Sequence, residues 1–271
     1  MSDDQDRAGL EVSELVVRYE GNLAVDRVSL AAPVGRLTGL IGPNGAGKTS
    51  TFNACSGLLK PAQGRVFLFG HDVTRLGPAA RARRGLGRTF QRMELFTSMT
   101  VAENVALARE ARLAGWNPLW QQIGTRRQRV VVRAATEEAL EVCGITELAG
   151  QTVDNLSTGQ RRLVELARVH AGDYRFLLLD EPSSGLDQAE SEHLGRILRS
   201  LVEQRDVGIL LVEHDMALVM NVCDYLYVLD FGVLIHQGEP ADVQASPVVR
   251  AAYLGAEDVL EMAEISASPE G

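Results

Sequence analysis

Eight residues, Gly-Pro-Asn-Gly-Ala-Gly-Lys-Thr at positions 42–49, fit the pattern G-x-x-x-x-G-K-[ST]. The apolar run Leu37–Ile41 precedes them, and Thr49–Leu59 follows with a helical pattern. Glycines let the backbone curl so tightly that successive N–H groups point inward, and the helix adds the positive end of its dipole. A strand, a glycine-rich loop and a helix in this order predict a phosphate-binding loop in an α/β protein.

The residues of this loop have separate expected roles. Lys48 is expected to contact the β- and γ-phosphates of a nucleotide, and the Thr49 hydroxyl to ligate Mg²⁺. Only two of the 27 basic residues are lysines, which supports a compact ammonium inside the loop. The other loop positions are expected to wrap the phosphates: Gly42, Pro43, Asn44, Gly45, Ala46, Gly47 and Ser50.

An acid pair follows a second apolar run, Phe176–Leu179. A buried parallel strand of this kind delivers Asp180 to its carboxyl end, where open α/β sheets bind ligands. We expect Asp180 to join the Mg²⁺ shell and Glu181 to polarise the attacking water as the catalytic carboxylate. An apolar strand followed by two acidic residues is common by itself. It indicates a nucleotide site here because the chain also contains a phosphate-binding loop.

Strand and helix patterns alternate along the chain, except that about Val101 to Arg168 reads as helical throughout. This pattern predicts an α/β core with a helical insertion. We expect one domain over residues 11–255, with the core at about 11–92 and 170–255 and the insertion at about 93–169. Glu190–Gln204 has helical spacing of apolar residues. The remaining predicted strands are Leu15–Tyr19, Val25–Leu30, Arg65–Phe69, Ile209–Val212, Tyr225–Leu229 and Val233–Gln237.

The net charge of −9 comes mostly from acidic residues near the two ends. We expect residues 1–10 and 256–271 to be flexible, solvated tails. No apolar run reaches the roughly 18 residues of a membrane span, and the acidic start lacks a secretory signal. We therefore expect a cytoplasmic protein that reaches a membrane only through a partner, and no nucleic-acid partner.

The stretch Leu156–Gln160 reads Leu-Ser-Thr-Gly-Gln and resembles the LSGGQ signature of ABC ATPases. Ser157 and Gln160 fit a capping box, which predicts a helix whose first N–H groups face an anion. The resemblance implies that Ser157, Gly159 and Gln160 contact ATP bound by a second ABC ATPase subunit, identical or related, in a head-to-tail dimer. Thr158 occupies a position where glycine is commonest in the family, but Gly159 is retained.

Further motifs of the family follow in order. Tyr19 resembles the aromatic residue that stacks on adenine, and Gln91 resembles the glutamine that senses Mg²⁺ and the transmembrane partner. Ser184–Asp187 resembles the D-loop, and His214 resembles the switch histidine that touches the γ-phosphate. Tyr19 and His214 taken singly fit core or surface positions as well, so their assignment depends on this order. The resemblance covers roughly residues 11–255.

The resemblance implies the fold and the cofactors. The expected fold class is α/β, a P-loop NTPase of the ABC ATPase type. It has a RecA-like core with an antiparallel β subdomain, and a helical subdomain in addition. The implied cofactors are ATP and Mg²⁺.

Three further stretches of the sequence resemble the LivG-type ATPases of branched-chain amino acid importers. These stretches are Gly87–Gln91, Glu213–Met216 and Ala252–Gly255. The similarity implies an importer of branched-chain amino acids or a related small polar solute. Its partners would be transmembrane permease subunits and, indirectly, an extracytoplasmic substrate-binding protein, at the inner face of a bacterial cell membrane. Two alternatives stay open, a soluble ABC ATPase without a transport role and a lipid or lipopolysaccharide export ATPase.

The segment Gln91–Val101 is a candidate contact for the transmembrane partner, because it joins the nucleotide site to the helical insertion. Its apolar side chains are Met93, Leu95, Phe96 and Met99. Two interpretations stand equal at this point. These side chains either dock on the partner or pack inside the domain.

Overall fold

A six-stranded sheet stands at the centre of the fold. The computed structural model describes residues 8–89, 95–114 and 126–253. The strand order is β10-β9-β3-β8-β7-β6, and all neighbours are parallel except β9 and β10. The strands are β3 (Leu37–Ile41), β6 (Leu86–Arg88), β7 (Phe176–Asp180), β8 (Gly208–Val212), β9 (Tyr225–Asp230) and β10 (Val233–Gly238).

A second, antiparallel sheet covers one face of the first, in the order β2-β1-β4-β5. Its strands are β1 (Leu10–Tyr19), β2 (Asn22–Ala32), β4 (Gln63–Leu68) and β5 (His71–Asp72). One buried cluster joins Leu15 and Val28 of this sheet to Leu40 and Leu178 of the central sheet. Because β3, β7 and β8 are buried on both faces, every residue in them is buried, which explains their continuous apolar sequences.

Helices fill the space around the central sheet. Between β6 and β7, helices α3, α4 and α5 pack on one another and form a helical layer, and the described residues of that region contribute no strand to either sheet. None of the helices in the described ranges combines the length and apolar character that a bilayer crossing requires. The helices are α1 (Lys48–Ser56), α2 (Pro78–Arg83), α3 (Val101–Ala114), α4 (Arg126–Val142), α5 (Thr158–Ala171), α6 (Gln188–Arg205), α7 (Met216–Val222) and α8 (Pro240–Ala245).

The long apolar patterns predicted their elements well. The strand at Leu37–Ile41 and the antiparallel pairing of β9 with β10 are confirmed. The helix predicted to reach Leu59 ends at Ser56, because Gly57 adopts a left-handed φ of 83° and its N–H bonds to a carbonyl one turn back. The predicted tail of residues 1–10 is too long, since Leu10 is fully buried and begins β1. The predicted tail at 256–271 lies outside the described residues.

His170 on α5 is a buried histidine, only 5% exposed. Neither of its ring nitrogens has a hydrogen-bond partner among the residues that the structure describes. Burial, together with the nearby positive charge of Arg205, lowers the pKa of the imidazole to about 4. The ring is therefore neutral in the folded protein at neutral pH.

We expect His170 to make the fold sensitive to acid. The pKa is about 6.5 in an unfolded chain, above its folded value. The contribution of His170 to stability is therefore complete above about pH 6.5 and is lost as the pH falls toward 4, by at most about 3 kcal/mol. Urea unfolding at pH 7 and pH 4.5 should show a smaller acid loss for His170→Leu than for the wild type. His71→Gln, at an exposed position, is the control, and equal acid losses in all three proteins would contradict the assignment.

Candidate active site

Three neighbouring strands bring the predicted site residues together. The glycine-rich loop follows β3, Glu213 and His214 follow β8, and Asp180 ends β7. The carboxyl ends of parallel strands meet at one edge of a sheet, where ligands bind in open α/β folds. A cavity of about 320 Å³ opens at this edge, lined by Ala24, Asn44, Gly45, Ala46, Gly47, Lys48, Thr49, Ser50, Glu181 and His214.

Close backbone contacts hold the loop in shape. Gly47 has a φ of 96°, and a Cβ atom there would lie 2.6 Å from the carbonyl oxygen of Ala24. Gly42 has a φ of 146°, and a Cβ atom there would collide with the carbonyl of Leu229. Only glycine combines this backbone conformation with such close neighbours. The loop is therefore fixed between β2 and the end of β9, with its residues 44–50 facing the cavity.

Lys48 is held inside the loop. Its side chain is buried, and Nζ donates hydrogen bonds to the carbonyl oxygens of Gly42 at 2.6 Å and Pro43 at 2.9 Å. Burial lowers the pKa of the ammonium, while the carboxylates of Glu181 and Asp180 oppose that effect. A positive charge fixed in the cavity wall suits a multiply charged anion such as a phosphate chain.

Asp180 lies behind the cavity wall at the end of β7 and is 3% exposed. Its backbone N–H donates to Thr89 Oγ1 at 3.3 Å, and the Arg88 guanidinium stands 3.8 Å from its carboxylate. Burial raises the pKa of Asp180, and the charge of Arg88 opposes that rise. A carboxylate and the hydroxyl of Thr49 are the hard oxygen ligands that Mg²⁺ prefers, so the donor set fits that ion. Gln91, the third predicted metal-site residue, lies outside the described residues.

Glu181 and His214 form a pair in the cavity. His214 Nε2 lies 2.8 Å from Glu181 Oε1, and both side chains line the space next to Lys48. Glu181 has a left-handed φ of 47°, an unusual conformation for a residue with a side chain, which costs about 1–3 kcal/mol and occurs often at active sites. The pair can orient and polarise a water molecule beside an anion that is bound to the loop.

Glu213 was not predicted from the sequence, yet it connects two loops of the site. Its buried carboxylate accepts hydrogen bonds from the backbone N–H of Ser183 at 2.7 Å and of His214 at 3.1 Å. Burial raises the pKa of Glu213, and these hydrogen bonds oppose that rise. Ala24 and Arg88 were missed as well. Arg88 lies inside the stretch Gly87–Gln91 and Ala24 directly precedes the predicted strand Val25–Leu30, but neither received a role, because their contacts are made with distant parts of the chain.

Tyr19 does not line the cavity. It ends β1, pairs with Asn22 across the turn and is 43% exposed. The returning strand β2 then supplies Ala24 to the cavity wall. An exposed ring at this turn is free to stack on a base outside the phosphate cavity.

We expect Tyr19→Ala to weaken nucleotide affinity, because base stacking on an aromatic ring contributes about 1–3 kcal/mol. Tyr19→Phe keeps the ring and should bind as the wild type does. Titration of a fluorescent ATP analogue measures both variants. Leu23→Ala, at a similarly exposed apolar side chain of the same hairpin, is the control. Wild-type affinity in Tyr19→Ala would place the adenine contact elsewhere.

The signature residues lie outside this cavity. Ser157 and Gln160 form the predicted capping box, with Gln160 N–H donating to Ser157 Oγ at 3.2 Å and Ser157 N–H donating to Gln160 Oε1 at 3.0 Å. Thr158 is the first residue of α5, so the threonine does not interrupt the helix start. Ser157 and Thr158 are exposed at this helix start, whereas Gly159 is buried and a Cβ atom there would collide with the carboxylate of Glu190.

Two family models match the chain. One, described as ABC transporter, matches residues 25–184. The other, described as branched-chain amino acid ATP-binding cassette transporter, matches residues 235–259. The first model spans more than half of the chain and includes the glycine-rich loop, the signature and the acid pair.

Relatives and solved structures agree with these models. The high-affinity branched-chain amino acid transport ATP-binding protein BraF of Pseudomonas aeruginosa is 39% identical, over 91% of this chain and 97% of its own length. The corresponding protein LivG of Escherichia coli is 38% identical over the same shares. The crystal structure of the ADP conformation of an ATP-binding cassette of an ABC transporter is 29% identical, with a TM-score of 0.79 over 92% of this chain and 99% of that one. The chain therefore belongs to the ABC transporter family, as an ATP-binding subunit that couples ATP hydrolysis to transport.

Proposed function

We propose that this chain powers the import of branched-chain amino acids or a related small polar solute. The observation that carries the proposal is the match of residues 235–259 to the family model of branched-chain amino acid ATP-binding cassettes. That stretch includes the end of β10 and all of α8, which lie beyond the general ATPase motifs. It therefore distinguishes this group from ABC ATPases at large.

The arrangement of the site supports a mechanism for hydrolysis. The loop N–H groups and Lys48 bind and orient the phosphate chain of ATP. Thr49 and Asp180, together with Gln91, would hold Mg²⁺, which neutralises charge on the phosphates when it is bound. Glu181 polarises the attacking water, and His214, hydrogen-bonded to Glu181, orients that carboxylate toward the water and contacts the γ-phosphate.

We infer that the working unit contains two ATPase subunits, identical or related. Ser157, Gly159 and Gln160 stand at the start of α5, where the positive end of the helix dipole favours an anion. These residues do not line the cavity of their own subunit, and the family resemblance assigns them to ATP held by the other subunit. Two such contacts close a head-to-tail dimer around two ATP molecules.

A groove beside α1 and α2 is suited to the permease. It has a volume of about 230 Å³ and is named here the docking groove. Leu58, which lines the groove, is 54% exposed, and Phe96, which is not among the lining residues, is 48% exposed. Its lining residues are Ser56, Leu58, Pro78, Ala79, Ala82, Leu86, Arg88 and Tyr174.

Some apolar side chains of the segment Gln91–Val101 pack inside the domain, and another is exposed and available for docking. Leu95 packs against the hydrophobic core and Met99 is half-buried, whereas Phe96 remains exposed. Met93 lies outside the described residues. We therefore propose that Phe96 and the docking groove contact the permease at the inner face of the membrane, and that an extracytoplasmic binding protein delivers the solute on the other side.

Uptake measurements test the proposed substrate. A bacterial strain without high-affinity leucine uptake would receive this chain with the permease and binding-protein genes adjacent to its own. We expect ATP-dependent accumulation of labelled leucine, isoleucine or valine, and none with Glu181→Gln. Normal ATP hydrolysis without uptake of these amino acids or of small amides would overturn the substrate. Purification with soluble scaffold proteins only would favour the non-transport alternative, and purification with lipopolysaccharide-binding membrane proteins would favour export.

A further inference from the structure

Arg88, at the end of β6, is fixed to the helix that follows the phosphate-binding loop. Its Nη1 donates to Ser56 Oγ at 2.5 Å, and its Nη2 donates to Asn53 Oδ1 at 3.0 Å. The guanidinium carbon stands 4.7 Å from the ring centroid of Phe52. All three partners belong to α1, the helix whose first two residues are Lys48 and Thr49. The planar guanidinium therefore has one fixed orientation relative to α1.

The same guanidinium also faces the acid of β7. Its Nη2 lies 3.8 Å from Asp180 Oδ2, and the side chains of Arg88 and Asp180 are only 13% and 4% exposed. Thr89, the next residue, accepts a hydrogen bond from the backbone N–H of Asp180. Arg88 and Thr89 thus connect Asp180 to α1, the helix that carries Thr49.

Arg88 also lines the docking groove, together with Ser56 and Leu58. One side chain thus contacts the groove, the phosphate-loop helix and the buried carboxylate. A molecule that fills the groove meets the guanidinium directly, without a chain of intermediate contacts.

We propose that Arg88 is a positioning residue that holds Asp180 against α1 and thereby links the Mg²⁺ site to the docking groove. The proposal rests on the proposed function, since it takes Asp180 and Thr49 as Mg²⁺ ligands. A lysine at position 88 keeps the charge but lacks the fork that reaches Ser56, Asn53 and Asp180 at once. A glutamine keeps hydrogen-bonding capacity but lacks the charge that faces Asp180.

Nucleotide binding with and without Mg²⁺ tests the first half of the proposal. A fluorescent ADP analogue is titrated onto wild type, Arg88→Lys and Arg88→Gln in EDTA and over a range of Mg²⁺ concentrations. We expect the affinity in EDTA to stay at the wild-type value, because the phosphate loop is untouched. Mg²⁺ changes the affinity for the ADP analogue, and the Mg²⁺ concentration that gives half of this change should rise about 10- to 100-fold in the variants. A loss of this size is usual when a residue that supports a metal ligand is removed.

Arg84→Lys is the matched control, at an exposed arginine that donates to the carbonyl of Ala80 on α2. A residue with only a structural role would lower the thermal midpoint or weaken binding in EDTA and Mg²⁺ alike. Wild-type Mg²⁺ dependence in both Arg88 variants would overturn the proposal. Wild-type protein that binds no nucleotide, or binds it without any effect of Mg²⁺, would overturn the proposed function itself and this inference with it.

A label in the groove tests the second half. Ala79 is exposed in the docking groove, and the native cysteines Cys55, Cys143 and Cys223 are all buried. A bulky maleimide on Ala79→Cys therefore fills the groove selectively. We expect the label to shift the Mg²⁺ dependence when Arg88 is present and to add nothing in the Arg88→Lys background. An equal shift in both backgrounds, or none in either, would contradict a link through Arg88.

Discussion

Lys48→Ala should reduce the rate of ATP hydrolysis by at least about 10²–10³ at a fixed ATP concentration, because it removes the preorganised charge that meets the β- and γ-phosphates. The ammonium is buried and bonded to the carbonyl oxygens of Gly42 and Pro43, so no mobile cation can take its place without rebuilding the loop. Phosphate release and binding of a fluorescent ATP analogue measure the loss. We expect the hydrolysis rate and the affinity for the ATP analogue to fall together.

The chain provides a close control for this variant. Lys60 is the one other lysine in the sequence, and it is exposed, so Lys60→Ala should behave as wild type. Because burial lowers the pKa of Lys48, the folded protein bears a cost for keeping that charge. The substitution also removes the hydrogen bonds to the carbonyl oxygens of Gly42 and Pro43, so the thermal midpoint of nucleotide-free Lys48→Ala is measured to separate lost binding from lost structure. A Lys48→Ala protein with wild-type turnover would refute the assignment of the loop.

The central strands could be predicted from the sequence because burial on both faces leaves a continuous apolar run. Phe176–Leu179 and Leu37–Ile41 have this form, and each leads directly into a predicted site loop. Strand order decides that these loops meet, and the order itself came from the structure, whereas the family resemblance implied only that the loops share one nucleotide. Short elements such as β5 and α2 escaped prediction, since two to six residues are too few to show a period.

Contacts between distant parts of the chain were beyond prediction. Nothing local marks Arg88 as the neighbour of Asp180, or Glu213 as the acceptor for Ser183. Likewise, the positive φ of Glu181 follows from its N–H bond to the carbonyl of Val212 on the adjacent strand, not from the residue type. The sequence pattern therefore predicted the groups that are expected to carry the chemistry. The groups that hold them in place required the three-dimensional structure.

Glu181→Gln should retain ATP binding but lose most hydrolysis. The amide has the shape and hydrogen-bonding size of the carboxylate, but it lacks the charge and basicity that polarise the attacking water. Loss of a positioned base costs about 10²–10⁴ in rate. Glu181 Oε1 lies 2.8 Å from His214 Nε2, and a glutamine oxygen can accept the same hydrogen bond, so the geometry of the pair should persist.

The same variant should reveal the two-subunit assembly. With ATP uncleaved, Ser157 and Gly159 of one subunit should stay closed on the Lys48 loop of the other. Size-exclusion chromatography with ATP and Mg²⁺ should therefore show a dimer for Glu181→Gln, whereas wild type should elute mainly as a monomer. The control is Glu192→Gln, at an exposed carboxylate on α6, which should hydrolyse ATP and elute like wild type.

Each outcome of this experiment bears on a separate claim. Normal hydrolysis by Glu181→Gln would transfer the catalytic role to another group, and His214, which shares the cavity, would be tested next. An inactive variant that remains monomeric with ATP bound would leave the chemistry at Glu181 intact and contradict pairing of this chain with itself. A second, related ATPase subunit would then have to supply the opposing signature. Adding that subunit to Glu181→Gln should restore the ATP-dependent dimer, because the Lys48 loop and the start of α5 remain intact in the variant.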